Sequence, residues 1–185
     1  MRPAPGEVLH FSEDPGITRF VPHVAPTSAE TTPYVWAVDA HSAPSYWFPR
    51  QCPRAMAWVR AGTTPADRDR IIGAGCGDRV HANEYAWLDA MRTTRLYAYR
   101  LPAALFTPIA SPGSEPHAHV ATETVTPLGP PSPVGDLLRC HAEAGIQLRL
   151  LPNLWPFWDE VIASTVGYSG IRLRNAQVRP SSAGR

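Results

Sequence analysis

Residues 79–101 read RVHANEYAWLDAMRTTRLYAYRL, and this stretch decides the fold prediction. Alternating side chains predict strands at Arg79–Ala82 and Leu96–Leu101. Between them, Asn83 is predicted to cap a helix, because the apolar residues of EYAWLDAMR recur at helical spacing. A helix this short between two short strands does not resemble the long crossover of a parallel β–α–β unit, so the stretch favours a fold of mixed α+β class.

The rest of the chain repeats this mixture of short strands and short helices. Further strands are predicted at Val8–Ser12, Tyr34–Val38, Arg54–Val59, His119–Thr126 and Gln147–Leu151. Further helices are predicted from Pro65 to Gly73 with Thr64 as N-cap, from Gly135 to Ala144, and from Trp155 to Thr165. The proline-rich stretches 107–116 and 128–133 are predicted to be loops. The sequence therefore predicts one α+β domain over residues 1–177, with mixed, mostly antiparallel sheets and about four helices, and a flexible tail over residues 178–185.

Composition excludes several classes of function. All 17 basic residues among the 185 are arginines, so a catalytic lysine, a Schiff base and a P-loop lysine are excluded. The net charge of +1 supplies no field for nucleic acid or an anionic membrane, and neither partner is expected. No apolar run is long enough to span a bilayer and no signal peptide is recognised, so cytoplasmic residence is expected. The histidines and the three cysteines lack metal-ligand spacing, so no metal is expected.

The first candidate site residues are His10 and Ser12 in VLHFSED, residues 8–14. They share one face of a predicted strand, because side chains two residues apart point the same way. A histidine there can donate to a ligand hydroxyl while the backbone fixes its other nitrogen. The alternative is a buried histidine that the main chain satisfies.

A second group of candidates lies in residues 34–54, YVWAVDAHSAPSYWFPRQCPR. Tyr46, Trp47 and Phe48 cluster there and offer aromatic platforms for a flat heterocycle, although aromatic residues at this density are more often part of a core. Arg50 and Arg54 flank Cys52, and their guanidinium groups suit a phosphate or a carboxylate. Structural ion pairs are the alternative for the arginines, and no histidine is spaced to activate Cys52 as a nucleophile.

The third candidate is Glu123 in HVATETVTP, residues 119–127. A carboxylate within a strand among apolar neighbours is costly unless it is paired or solvated, and such carboxylates often do chemistry. An edge strand with Glu123 facing water is the alternative. The segment SGIRLRNAQ, residues 169–177, is interpreted either as an anion site or as an ion-paired strand face.

Five segments together resemble a family of small bacterial proteins of unknown function. They are LHFSEDPGI, YWFPRQCPR, RTTRLYAYRLP, NLWPFWDEVIAST and SGIRLRNA. The resemblance covers nearly the whole chain, residues 8–177, and the order of the segments is specific. The sequence departs from the expected pattern at Gln51, where an aspartate is expected.

A more distant resemblance is to the ADP-ribosyltransferase-like superfamily, which carries a His–Tyr–Glu set on three strands. His10 with Ser12 is similar to the superfamily's ribose-holding His-x-Ser, although Phe11 stands where a small residue is usual. Glu123 matches the superfamily's glutamate by position. The resemblance implies NAD as substrate, with Glu123 accepting from the ribose 2′-hydroxyl and stabilising an oxocarbenium-like transition state as nicotinamide leaves.

The same resemblance implies roles for the aromatic residues and the arginines. Trp36 stands at the superfamily's first aromatic position in place of tyrosine, and Tyr46 stands where a tyrosine stacks on nicotinamide. Arg50 or Arg54 is implied to meet the pyrophosphate.

Three other functions remain open beside an NAD-dependent transferase. One is a non-catalytic module that binds a nucleotide or metabolite on the same fold, and another is a structural or interaction protein. The third is RNA 2′-phosphotransferase-like chemistry, which the near-neutral charge disfavours.

Overall fold

A computed structural model describes residues 1–24, 31–75, 77–110 and 118–180. The strands in these residues are β1 (Glu7–Ser12), β2 (Val35–Ala37), β3 (Arg54–Trp58), β4 (Arg79–Glu84), β5 (Tyr97–Pro102), β6 (Thr107–Ile109), β7 (Ala118–Ala121), β8 (Ser132–Pro133), β9 (Gln147–Leu151) and β10 (Gly167–Ile171). The α-helices are α1 (Pro65–Asp67), α2 (Leu88–Thr93), α3 (Leu137–Glu143) and α4 (Trp155–Ile162). The predicted α+β class, with four helices among the described residues and short mixed sheets, is confirmed. No helix in the described ranges has the length and apolar character needed to cross a membrane.

The chain forms two compact units, and each is assembled from two separate stretches. The first unit comprises Met1–Arg50 and Thr94–Gly135, and the second comprises Gln51–Thr93 and Asp136–Arg185. In the first unit, β1, β5 and β8 form one sheet, and β2, β7 and β6 form another, both with antiparallel pairing. A bridge between Leu9 and Val38 connects β1 to the segment that follows β2.

Side-chain alternation along β1 and β2 divides the core of the first unit between two faces. On one face lies the larger cluster, formed by Val8, Phe20, Val35, Ala37, Tyr99, Leu101, Phe106, Ala121 and Val125. On the other face Leu9, Val38 and Ala43 form a smaller cluster, against which Phe11 and Tyr46 pack. Successive side chains of β1 therefore point alternately to the larger and the smaller cluster.

In the second unit, one four-stranded sheet has the order β10–β3–β4–β9. The pairs β10–β3 and β3–β4 are antiparallel, whereas β4 and β9 are parallel. One apolar cluster contains Ala57, Ile71, Ile72, Val80, Val161 and Val166, and a second contains Ala55, Ala82 and Leu154. This sheet places β4 between two partners, so both of its edges are paired.

Two sequence predictions of local structure are wrong, and non-local pairing explains both. Asn83 does not cap a helix but lies inside β4, opposite Leu150 of β9, because the parallel pairing extends the strand to Glu84. The predicted strand His119–Thr126 ends at Ala121, because the neighbouring strands β2 and β6 each supply only three residues to pair with it.

Predictions that depend on local chemistry are confirmed in the kind of element they name, although the bounds of two helices differ from those predicted. The Thr64 side chain accepts a hydrogen bond from the Asp67 N–H, with Pro65 at the first helical position. Helix α1 continues as a π-helix over Arg68–Ile72, which ends at Gly73, whose φ is 74°. The third predicted helix begins later than predicted, at Leu137 with Asp136 as its cap, and Gly145 with φ 67° follows it. The fourth ends at Ile162 rather than Thr165, and β9 spans Gln147–Leu151 as predicted.

The proline-rich loops are partly replaced by short strands. β6 occupies the start of the predicted loop 107–116, and β8 occupies the end of the predicted loop 128–133. β10 takes up the start of the SGIRLRNAQ segment. Residues 111–116 of the first loop, Cys76, and residues 181–185 of the predicted tail lie outside the described residues.

Candidate functional site

His10 lies within β1, opposite Tyr99 of β5, and its tautomer is fixed by the main chain. The imidazole Nδ1 is 2.7 Å from the carbonyl oxygen of Trp36. Because a carbonyl only accepts, Nδ1 carries the proton and Nε2 keeps a lone pair. The ring also packs on Phe20, with ring centroids 4.6 Å apart. His10 therefore presents one hydrogen-bond acceptor whose orientation the strand determines.

The electrostatic surroundings keep His10 neutral at pH 7. Burial, together with the positive charge of Arg50 and the nearby His23, lowers the pKa of His10 to about 4, against the opposing effect of the hydrogen bond to Trp36. A neutral imidazole with Nδ1 occupied can accept a hydrogen bond from a hydroxyl at Nε2. This is the polarity needed to hold a ligand hydroxyl such as that of a ribose.

Ser12, the second residue of the predicted pair, is 3% exposed at the end of β1. Its Oγ accepts a hydrogen bond from the Asp14 N–H at 3.1 Å, and the Asp14 carboxylate accepts from the Gly16 N–H at 2.7 Å. The main function that the structure gives Ser12 is to stabilise the turn that follows β1. Its hydroxyl proton remains available for a second bond.

Trp36 and Tyr46 lie on the face of β1 and β2 opposite to the His10 side chain. Tyr46 stacks on Phe11, with ring centroids 6.4 Å apart and planes inclined by 7°. Trp36 alternates with two residues of the larger cluster and therefore points to the Tyr46 face. Its indole Nε1 is buried, with no hydrogen-bond partner among the described residues. The structure thus brings Trp36 close to His10 through its carbonyl, but directs its ring away.

Arg50 and Glu123 both belong to the first unit and are both exposed. The main-chain N–H of Arg50 donates to the Glu13 carboxylate at 2.7 Å. Glu123 lies in a bend after β7, two residues before Val125, which exchanges two main-chain hydrogen bonds with Phe20. Since Phe20 packs on His10, the bend that carries Glu123 is joined to the surroundings of His10 through this bridge.

Arg54, the remaining predicted ligand-binding residue, lies in the second unit at the start of β3 and is 3% exposed. One guanidinium nitrogen donates to the carbonyl oxygen of Cys52 at 3.0 Å. Cys52 itself is fully buried, and burial raises the pKa of its thiol to about 11. A thiol that stays protonated at neutral pH is a poor nucleophile, so the structure does not favour nucleophilic chemistry at Cys52.

A buried histidine pair in the second unit was not identified from the sequence. His81 of β4 and His141 of α3 are at most 1% exposed, and His81 Nδ1 lies 3.1 Å from His141 Nε2. His141 Nδ1 donates to the Leu137 carbonyl at 2.7 Å, so His141 Nε2 accepts from His81. Burial lowers the pKa of both imidazoles, and the charge of Arg54 lowers both further. The polar positions in RVHANE, which alternate with Val80 and Ala82, were the available signal.

Asn83 adds a further polar group in β4. It is fully buried, its Nδ2 points to the Cys52 sulfur at 3.6 Å, and its Oδ1 has no hydrogen-bond partner within the described part of the chain. No group of three or more His, Cys, Asp or Glu side chains in the described ranges is arranged to hold a metal ion. His81, His141 and Asn83 are thus packed in the interior of the second unit.

These observations define an α+β protein whose first unit carries a neutral, oriented histidine under the influence of an arginine charge. The chain belongs to the Family of unknown function (DUF6886), whose model matches residues 9–176. The match confirms the predicted membership of a family of unknown function. No curated protein and no solved structure matches the chain.

Proposed function

We propose that the first unit binds a phosphate-bearing ribonucleotide of the NAD class on the His10 side of β1. The observation that carries this proposal is the neutral, tautomer-fixed imidazole of His10 within the electrostatic influence of Arg50. The His10 Nε2 lone pair suits a ribose hydroxyl as donor, and the guanidinium group of Arg50 suits the pyrophosphate.

Glu123 is proposed to provide the carboxylate for cleavage of the nicotinamide–ribose bond. Support comes from its exposure and from the Phe20–Val125 bridge that joins its bend to the segment packed on His10. A carboxylate can accept from a ribose 2′-hydroxyl and stabilise positive charge that develops on the ribose. The bond between C1′ and nicotinamide breaks, nicotinamide leaves with the bonding electrons, and water or another nucleophile attacks C1′.

Binding without cleavage is the second candidate function, and the division of side chains between two faces favours it. Tyr46 and the Trp36 ring lie on the face of β1 opposite to His10, so the proposed site assigns them no contact with the same nicotinamide. A site without a stacking residue holds the nicotinamide ring less firmly for departure. Such a site can still bind the ribose and the phosphates.

Isothermal titration with NAD, together with chromatographic measurement of released nicotinamide, tests the two candidates. Glu123→Gln is expected to keep NAD affinity within about twofold and to stop nicotinamide release, whereas the exposed Glu143→Gln in the second unit serves as a matched control. Equal release by the wild type and Glu123→Gln overturns the role of Glu123. Binding by the wild type without release establishes the non-catalytic function, and absence of NAD binding overturns both candidates.

A further inference from the structure

The turn that follows β1 is more firmly held than an ordinary surface loop. Ser12 and Asp14 each accept a main-chain N–H two residues ahead, at 3.1 and 2.7 Å. The hydroxyl of the fully buried Tyr99 donates to the Asp14 carbonyl at 2.7 Å and accepts from the Ile17 N–H at 3.0 Å. Four hydrogen bonds therefore fix the main chain that follows Glu13, and the pairing of Ser12 with Tyr97 in β5 holds the residue before it.

Glu13 uses this fixed position to connect two segments that are distant in sequence. Its Oε1 accepts the main-chain N–H of Arg50 at 2.7 Å, across 37 residues. A carboxylate that accepts from a main-chain N–H makes a charge-assisted hydrogen bond, which is stronger than a neutral one. Glu13 follows directly on β1, the strand that carries His10. Its hydrogen bond to Arg50 therefore connects the residue proposed to contact the ribose with the residue proposed to contact the phosphates.

We propose that Glu13 is a positioning residue for the nucleotide site: by holding the main chain of Arg50 to the turn after β1, it keeps the Arg50 cation in place relative to His10. The identity of the ligand rests on the proposed function, whereas the positioning of Arg50 by Glu13 does not. It explains why an acidic residue stands beside a proposed phosphate site, where its charge alone is unfavourable to an anion. The carboxylate is used as a hydrogen-bond acceptor for the main chain, and the phosphates are left to the arginine.

The proposal deepens the substrate class of the site, because it makes Arg50 selective for ligands that carry phosphate. NAD and nicotinamide riboside share the nicotinamide ribose, but only NAD has a pyrophosphate. If Glu13 positions Arg50, its removal lowers the affinity for NAD and leaves the affinity for nicotinamide riboside unchanged. Loss of the hydrogen bond is expected to weaken NAD binding by roughly two- to tenfold.

Two variants separate the hydrogen bond from the charge. Glu13→Gln keeps an acceptor oxygen and removes the charge, whereas Glu13→Ala removes both. We expect Glu13→Gln to bind NAD at least as tightly as the wild type, and Glu13→Ala to bind it more weakly. If both variants weaken NAD binding equally, or if Glu13→Ala weakens nicotinamide riboside binding equally, the positioning role is overturned.

A second measurement needs no ligand and therefore distinguishes failure of this inference from failure of the proposed function. Among the described residues, Arg50 and His23 are the charged or titratable groups whose electrostatic effect lowers the His10 pKa. Release of Arg50 in Glu13→Ala is expected to raise the His10 pKa above its value in Glu13→Gln, as followed by the imidazole NMR signals against pH. Equal His10 pKa values in the two variants overturn the positioning role even if NAD binds. A raised pKa in Glu13→Ala, with no NAD binding by the wild type, supports the positioning of Arg50 and refutes only the assigned ligand.

Discussion

Replacing His10 with glutamine is expected to make the protein less sensitive to acid. The pKa of His10 is about 4 in the folded chain, against 6.5 for a histidine in a short, unfolded peptide. Because the folded-state value is the lower one, the unfolded chain binds a proton first as pH falls. Stability is therefore fully present above pH 6.5, is lost between pH 6.5 and 4, and changes no further below pH 4 through this residue.

The size of the effect follows from proton linkage. Each unit of pH within that window costs about 1.4 kcal/mol for one histidine that stays neutral only in the folded state. Between pH 7.5 and 5.0, with the two pKa values above, the loss attributable to His10 integrates to about 2 kcal/mol. His81 and His141 add to the loss in the same direction, but they are present in both proteins and cancel in the comparison.

Urea unfolding followed by tryptophan fluorescence at pH 7.5, 6.5, 5.5 and 5.0 measures this difference. The wild type is expected to lose about 2 kcal/mol more than His10→Gln over the range, whatever the difference between them at pH 7.5. Measurements stop at pH 5.0 because Asp39, whose pKa is lowered, loses its stabilising effect only at more acid pH. His41→Gln is the control, since His41 is exposed and its charge acts on Asp39 rather than on His10. Parallel pH curves for the wild type and His10→Gln would refute the neutral, buried state of His10.

Three further predictions test other parts of the structure. Cys52, with a buried thiol of raised pKa, is expected to resist alkylation in the native protein at pH 8 and to react after unfolding, as mass spectrometry of the peptide will show; native labelling contradicts the structure. Gly145→Ala is expected to lower the free energy of unfolding by about 1–2 kcal/mol, because the position has a left-handed backbone and nothing else close to the added Cβ. Gly77→Ala is expected to lower it by roughly 1–3 kcal/mol more than Gly145→Ala does, because its Cβ also meets the Gly145 carbonyl. Equal losses for the two variants in chemical denaturation argue against this close approach. Asp136→Ala is expected to cost about 1 kcal/mol through loss of the α3 cap, and Asp136→Asn much less, in the same assay; equal costs speak against capping.

The predictable part of the fold is the part that neighbouring residues decide. The helix that begins after Thr64 is capped by the threonine side-chain oxygen, and α3 ends before Gly145 because glycine accepts a left-handed backbone. Both features depend on residues within one helical turn, and both lie where the sequence indicates. Asn83 carries the same capping chemistry as Thr64, yet it is in a strand, because Leu150 lies opposite it at a distance of 67 residues along the chain. Local propensity is overridden where a strand partner comes from far away.

The candidate site divides in the same way. The alternation in VLHFSED correctly places His10 and Ser12 on one side of a strand. The sequence does not show that the carbonyl of Trp36, 26 residues away, fixes the tautomer of His10. It also hides the pairing of His81 with His141, which depends on a helix packed on a sheet across 60 residues. The sequence therefore predicts which side chains share a face of one strand or helix. It does not predict the distant residue whose hydrogen bond sets the protonation and orientation of those side chains.

The alternation along β1 also limits how the resemblance to ADP-ribosyltransferases can be applied. Nicotinamide and its ribose are joined by a single bond, so a side chain that stacks on one and a side chain that accepts from the other must reach the same side of a strand. His10 contacts Phe20 on one face of β1, whereas Tyr46 stacks on Phe11 on the other. With β1 in this position, one nicotinamide riboside can contact either the imidazole of His10 or the ring of Tyr46, but not both. The hydroxyl acceptor at His10 and the aromatic surface at Tyr46 are therefore separable, and the proposed nucleotide site uses the acceptor together with the Arg50 cation.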